Sequence, residues 1–241
     1  MSRRWSSPFD NLRAFLQSFG PGVTGELVSD LVRQLSLATK GITLVIDMLN
    51  GVGIPEDTTH LLAQLKDDAD HLHSEFIDSL TRALVTPLDR EDLYRYSREI
   101  RDLMDELRDF AREWRLLHTG SDEVLLRVVC QLANALDAAR RGTEKLAHPT
   151  SASAQDLQPL IDALRSANLV RRVQEEEVTA LFHGEVTMDL LRTRELLHRL
   201  DAVGRHLVAG LNIIIDGLVK REEYEPRSRE PQPGASPDEG A

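Results

Sequence analysis

The strongest constraint on the fold is a run of apolar residues that recur in alternating steps of three and four over residues 89–118. This spacing places one continuous apolar stripe along one face of an α-helix, as at the seam of a coiled coil. A half-buried strand would instead alternate every second residue. The segment therefore predicts a long helix that buries one face, and its stripe consists of Leu93, Tyr96, Ile100, Leu103, Leu107, Phe110, Trp114 and Leu117.

Comparable spacing predicts five further helices. Glycine, proline and capping residues separate these segments, as they do at helix ends. The second and fifth helices each end in an apolar pair that is followed by a turn and a long helix. This pattern predicts two three-helix repeats, residues 22–118 and 121–221, in one elongated all-α bundle. The five further helices are expected at 22–50, 57–84, 121–147, 153–183 and 187–221.

The two ends of the chain differ from the bundle in composition. Residues 1–21 are expected to form a partly ordered lead. Residues 222–241 are rich in proline, glutamate, arginine and serine and have almost no apolar residue. Such a segment cannot bury enough apolar surface to offset the entropy of ordering, so a disordered acidic tail is expected there.

Charge and composition exclude several functions. The net charge is −11, and no basic stripe is present, which argues against nucleic acid as a partner. No apolar signal region and no apolar run of bilayer-spanning length is evident, so the expectation is a cytoplasmic protein. No nucleophile elbow or supported Cys–His pair stands out, and the chain is not expected to be an enzyme.

A short junction between the second and third helices carries the most specific signal. Pro87 stops one helix, Asp89 can cap the next, and the acidic residues Glu91 and Asp92 suit its first turn. Residues 84–94 read Leu-Val-Thr-Pro-Leu-Asp-Arg-Glu-Asp-Leu-Tyr. This string resembles the Thr-Pro-hydrophobic-Asp-Arg-Glu-Asp junction of the PhoU-like family of Pit phosphate-transporter accessory proteins.

The resemblance implies both a fold and a function. It implies a PhoU-like helical bundle that acts as a non-enzymatic accessory or regulator of a Pit-type inorganic phosphate transporter. It places the protein in the cytoplasm, peripheral to the inner face of the membrane through contact with that partner. Formation of a homo-oligomer stays open.

PhoU-like proteins carry an acidic residue and an aspartate four positions apart on each of four helices, and these motifs bind iron or zinc clusters. Residues at this spacing face the same side of a helix. In this chain every motif has lost at least one acid, and the aspartates that remain are Asp70, Asp105 and Asp201. The four aligned pairs are Lys66 and Asp70, Arg101 and Asp105, Ala167 and Arg171, and Asp201 and Arg205.

Cations thus stand at four positions of the motifs, and a cation at the i+4 spacing can neutralise a retained aspartate. The prediction is that fixed positive charges replace the metals, so that no cofactor is needed. One alternative is that these are ordinary exposed salt bridges, worth about 0–1 kcal/mol each. Another is a residual metal site that is helped by nearby acids, namely Asp67, Asp68, Asp102 and Glu106.

Two further functions remain open. A metal-binding bundle of ferritin-like type would use Asp/Glu-x-x-His motifs, and this chain has them at Asp70–His73 and Glu195–His198. The other alternative is a generic helical scaffold with no role in phosphate transport. Metal content separates the first of these from the transporter accessory.

Overall fold

The computed structural model describes residues 21–84, 86–117, 123–146, 154–181, 183 and 186–224. The six-helix, all-α prediction is confirmed within these residues, and each helix begins and ends close to the predicted position. The last helix continues to Tyr224, past the predicted end at 221. The expected lead and tail otherwise lie outside the described residues. The helices are α1 (Pro21–Leu49), α2 (Pro55–Arg82), α3 (Arg90–Leu117), α4 (Glu123–Lys145), α5 (Ala154–Leu181) and α6 (Met188–Tyr224).

The helices pack as two similar units of three. In the first unit α2 packs on α1 and α3, and in the second unit α5 packs on α4 and α6. The units meet where α1 packs on α4 and where α3 packs on α6, which is the most extensive helix pairing in the described bundle. This arrangement makes α3 and α6 central to the bundle.

The apolar stripe of α3 is buried as its spacing predicts. Tyr96 is 1% exposed, and its hydroxyl lies 2.8 Å from the hydroxyl of Thr143 on α4. Burial raises the pKa of Tyr96 to about 12, so this contact between the two units involves a neutral phenol. The stripe residues that are buried are Leu93, Tyr96, Ile100, Leu103, Leu107, Phe110 and Trp114.

A ladder of polar pairs also joins α3 to α6. Acidic residues recur every seventh position along α3, and each faces a basic residue on the antiparallel α6. Charged pairs that flank an apolar seam fix the register of two helices. The donor–acceptor distances are 3.3 Å for Asp92–Lys220, 2.8 Å for Glu99–His206, 3.0 Å for Glu106–Arg199 and 3.2 Å for Glu113–Arg199.

The junction between α2 and α3 satisfies the backbone groups at two helix ends. The Asp89 carboxylate accepts a hydrogen bond of 2.8 Å from the backbone N–H of Glu91, as expected of an N-cap. The Arg90 guanidinium donates to the backbone carbonyls of Leu80, at 3.3 Å, and Ala83. Cationic side chains at such carbonyls stabilise the end of a helix, so this junction fixes both helices at once.

The expectation that no segment is long and apolar enough to span a bilayer is wrong. Met188–Lys220 is long and apolar enough to cross a bilayer. In the bundle this segment packs against α3 and α5 and also contacts α4. A helix with neighbours on several sides needs a wide apolar surface, which gives it the composition of a spanning helix.

Gly142 marks the closest approach between α4 and α5. A Cβ atom there would lie 2.7 Å from Cδ2 and 3.2 Å from the backbone nitrogen of Leu160. We expect Gly142→Ala to lower the free energy of unfolding by about 1–3 kcal/mol, because overpacking outweighs the gain in helix propensity. Urea denaturation measures this change.

Gly25→Ala in α1 is the matched control, because its Cβ would meet no atom within 4 Å. This variant should raise the free energy of unfolding by up to roughly 1 kcal/mol. Equal stability of the two variants would contradict the close packing of α4 on α5.

Candidate functional site

The first site lies between α2 and α3, where the side chain of Lys66 joins two of the retained aspartates. Its ammonium hydrogen-bonds the Asp70 carboxylate on the same helix and lies 3.4 Å from Oδ1 of Asp105 on α3. The hydrogen bond to Asp70 and the charges of both aspartates raise the pKa of Lys66. The Lys66 side chain is 17% exposed, so a permanently charged group is held between the two carboxylates.

Arg101 does not pair with Asp105 at the spacing that the sequence suggests. Its guanidinium binds Asp102 instead, with Nη2 2.7 Å and Nε 3.2 Å from Oδ1. Asp105 is already engaged by Lys66 and, at 3.1 Å, by Arg108. The expected pairing of Arg101 with Asp105 is therefore wrong, because two other cations occupy the carboxylate.

The third retained aspartate lies in the other unit. Asp201 on α6 accepts a hydrogen bond from Arg205 one turn later, while Arg171 on α5 binds Glu175 at 3.3 Å. Ala167 is buried and leaves a cleft of about 310 Å³ between α5 and α6. The three predicted site residues thus lie in two places, with Asp70 and Asp105 joined by Lys66 and Asp201 beside this cleft.

The histidines of the ferritin-like alternative lie in different surroundings. His73 is 4% exposed and hydrogen-bonded inside the first unit, whereas His198 is exposed on α6. Over the part of the chain that the structure describes, no three His, Cys, Asp or Glu side chains converge as a metal site would require.

A buried polar chain across the first unit was missed by the sequence reasoning. Nδ1 of His73 lies 2.7 Å from the Ser97 hydroxyl, which donates a 2.8 Å hydrogen bond to Oε1 of Gln34. Because the hydroxyl proton of Ser97 goes to Gln34, Nδ1 of His73 is the donor of the first bond. Ser97 lies beside the apolar stripe of α3, and a polar residue at such a position could have predicted a buried hydrogen bond.

Comparison with solved structures shows which fold this is. Two structures from Shewanella oneidensis MR-1 match with TM-scores of 0.66 and 0.65, at 12% sequence identity each. Each alignment covers 80% of this chain and 99% of the other. Both proteins are described as PhoU-like, and the second is also described as a phosphate regulatory protein. The fold is PhoU-like. No protein-family model and no curated protein matches the sequence.

The buried His73 makes stability depend on pH. Burial lowers its pKa below the ordinary value of 6.5, so in mild acid the unfolded chain binds a proton that the folded chain does not. The contribution of His73 to stability is therefore complete at pH values above the pKa of His73 in the unfolded chain. It is lost as the pH falls through the lower pKa of His73 in the folded chain.

We expect His73→Gln to lose less stability than the wild type when the pH falls from about 7.5 to about 5.5, since it lacks this linkage. Urea unfolding at both pH values measures the difference. His71→Gln changes an exposed histidine on the same helix and should follow the wild type. Parallel curves for all three proteins would contradict the assignment.

The geometry at Lys66 predicts that a metal site can be restored. Lys66→Glu replaces the ammonium with a third carboxylate beside Asp70 and Asp105, and oxygen donors of this kind bind divalent metals. The affinity for Zn²⁺ or Fe²⁺, measured by titration calorimetry, should rise, and it should rise further when Arg101→Glu is added. Arg82→Glu makes the same charge change at an exposed position on α2 and should not raise it. Equal affinities for all variants would show that α2 and α3 are not aligned in this way.

Proposed function

We propose that this protein is a non-enzymatic accessory or regulator of a Pit-type inorganic phosphate transporter, acting by protein contact at the cytoplasmic face of the membrane. The observation that carries the proposal is the match of 80% of this chain to PhoU-like proteins, one of which is described as a phosphate regulatory protein. The junction at residues 84–94 supports it independently, because its residues resemble those of Pit accessory proteins.

We propose further that the protein works without metal clusters. The Lys66 ammonium lies between carboxylates at positions where the resemblance places metal ligands. A covalently held cation neutralises these carboxylates without any cofactor. Arg205 neutralises Asp201 in the same manner in the second unit, and Arg cannot give up its proton to become a ligand.

One end of the bundle is suited to contact a partner. The α1–α2 turn and the end of α3 come together there, as the pair Glu56–Arg115 shows. The antiparallel α6 begins toward the same end, since Glu113 near the end of α3 pairs with Arg199 of α6. This end has large apolar side chains that are more than half exposed, and such patches mark interaction surfaces. We assign the transporter contact to this apolar end, whose exposed residues are Val52, Ile54, Leu116, Val186 and Met188.

Elemental analysis tests the metal-independent form of the proposal. Protein expressed with iron and zinc present should retain fewer than two tightly bound metal ions per chain, because the motifs lack their full carboxylate sets. Two or more bound ions per chain would instead favour the metal-binding bundle of ferritin-like type.

Phosphate transport tests the function itself. Deleting the gene should change the uptake of radiolabelled phosphate, and the tagged protein should recover a Pit-type transporter from detergent-solubilised membranes. Val52→Asp with Ile54→Asp should reduce this recovery, because it places two charges in the apolar end. Leu169→Asp changes an apolar residue of α5 that is 44% exposed and lies outside both the apolar end and the junction at residues 84–94, so it serves as the control.

The outcomes separate the alternatives. Unchanged uptake with no recovered transporter would leave only the generic scaffold. If Val52→Asp/Ile54→Asp and Leu169→Asp reduce the recovery of the transporter equally, the partner is retained but the assigned contact surface is contradicted.

A further inference from the structure

The two units differ in what fills the space between their last two helices. In the first unit Lys66 extends from α2 toward α3 and occupies this space. In the alignment of the motifs the residue that corresponds to Lys66 in the second unit is Ala167, whose side chain ends at Cβ. The space that Lys66 fills in the first unit is therefore empty in the second unit, where a cleft of about 310 Å³ lies between α5 and α6. This volume is near the lower end of the range for small-molecule sites.

The floor of the cleft is apolar, and its rim is polar. Ala167, Val170 and Gly204 form part of the floor, and each is buried. Arg171 and Arg205 stand at the rim with side chains 69% and 53% exposed. An apolar floor with a few polar groups at its edge is typical of sites for small organic ligands.

The charges at the rim favour an anionic ligand. Two guanidinium groups and one carboxylate, that of Asp201, line the cleft. The partners of the two arginines lie one turn away on their own helices, and exposed pairs of this kind are worth only about 0–1 kcal/mol. Both arginines can therefore exchange these contacts for a ligand carboxylate, which a guanidinium binds in bidentate fashion.

A buried amide in the wall adds a second, independent observation. Gln174 lines the cleft and is 7% exposed. Its Nε2 donates a 2.6 Å hydrogen bond to the Leu197 carbonyl, while its buried Oε1 has no partner within the described residues. A buried acceptor without a donor is costly, so turning this side chain to present Oε1 to an O–H or N–H group of a ligand in the cleft would be favoured.

We propose that the cleft between α5 and α6 binds a small organic acid. Arg171 and Arg205 hold its carboxylate, Ala167 and Gly204 pack against its aliphatic body, and Gln174 accepts a hydrogen bond from a hydroxyl or amino group. A metal ion is disfavoured because the lining offers two cations and a single carboxylate. Inorganic phosphate is disfavoured because it would leave the apolar floor uncovered. This proposal does not depend on the proposed role in phosphate transport.

Nuclear magnetic resonance of the full-length protein tests the proposal with four probes. These are 2-hydroxy-4-methylpentanoate, 4-methylpentanoate, 4-methylpentanamide and inorganic phosphate. The hydroxy acid should shift the side-chain amide signals of Gln174 and Asn212 saturably, with a dissociation constant of about 1 mM. The acid without the hydroxyl should bind more weakly. The neutral amide and phosphate should bind at least about tenfold more weakly, since each lacks either the charge or the apolar body.

Substitutions at the cleft give the second part of the test. Arg205→Gln should weaken binding of the hydroxy acid about fivefold or more by removing a charged hydrogen bond. Arg165→Gln removes an exposed arginine of α5 that pairs with Asp162 outside the cleft, and it should bind as the wild type does. Ala167→Leu should abolish binding by filling the floor, with circular dichroism to confirm that the helices are retained.

Four results would overturn the proposal. They are the absence of saturable shifts at the cleft, equal binding of acid and neutral amide, binding of phosphate as tight as that of the hydroxy acid, and equal losses for Arg205→Gln and Arg165→Gln. None of these results bears on the uptake and co-purification experiments, so the two proposals can fail separately.

Discussion

The packing of α3 on α6 is the contact on which the rest of the bundle depends. Within this contact the Tyr96 ring lies against Gly210, where a Cβ would be 3.1 Å from the ring. The absence of that side chain lets the two helices approach closely, and the Tyr96 hydroxyl then reaches Thr143 on α4. The polar ladder from Asp92 to Glu113 fixes the register of this seam. Because α1, α2 and α5 each pack on one of these two helices, an error in the seam would displace both three-helix units.

Most of the fold could be predicted from local sequence because its signals are local. The steps of three and four along α3, the proline at position 87 and the N-cap at Asp89 each act within one or two helical turns, and each was found in the structure. The contact of Lys66 with Asp105 could not be predicted in this way, since it depends on how α2 crosses α3. The partner of Arg101 could not be predicted from spacing either. The i+4 spacing favoured Asp105, but Lys66 and Arg108 already contact that carboxylate, and Arg101 binds Asp102 instead.

The two three-helix units present different surfaces because their charged side chains pair in different ways. In the first unit the cation comes from α2 and reaches an acid on each of two helices. In the second unit the acids and cations pair within their own helices, Asp201 with Arg205 and Arg171 with Glu175. Pairing within a helix leaves the space between the helices unfilled. The same backbone arrangement therefore yields a closed, neutralised contact between α2 and α3 and an open cleft between α5 and α6.

The proposal that Lys66 takes the place of a metal has a consequence for what the bundle can respond to. A bound metal is present only when the metal is available, so a metal-bridged helix pair can vary with supply. The Lys66 ammonium is covalently attached, and its neighbours raise its pKa, so it stays charged throughout the physiological range. The α2–α3 contact is thus a constant part of the structure rather than a sensor. On that proposal a signal would act elsewhere in the bundle, and the apolar end and the α5–α6 cleft are two surfaces of the described residues that are open to other molecules.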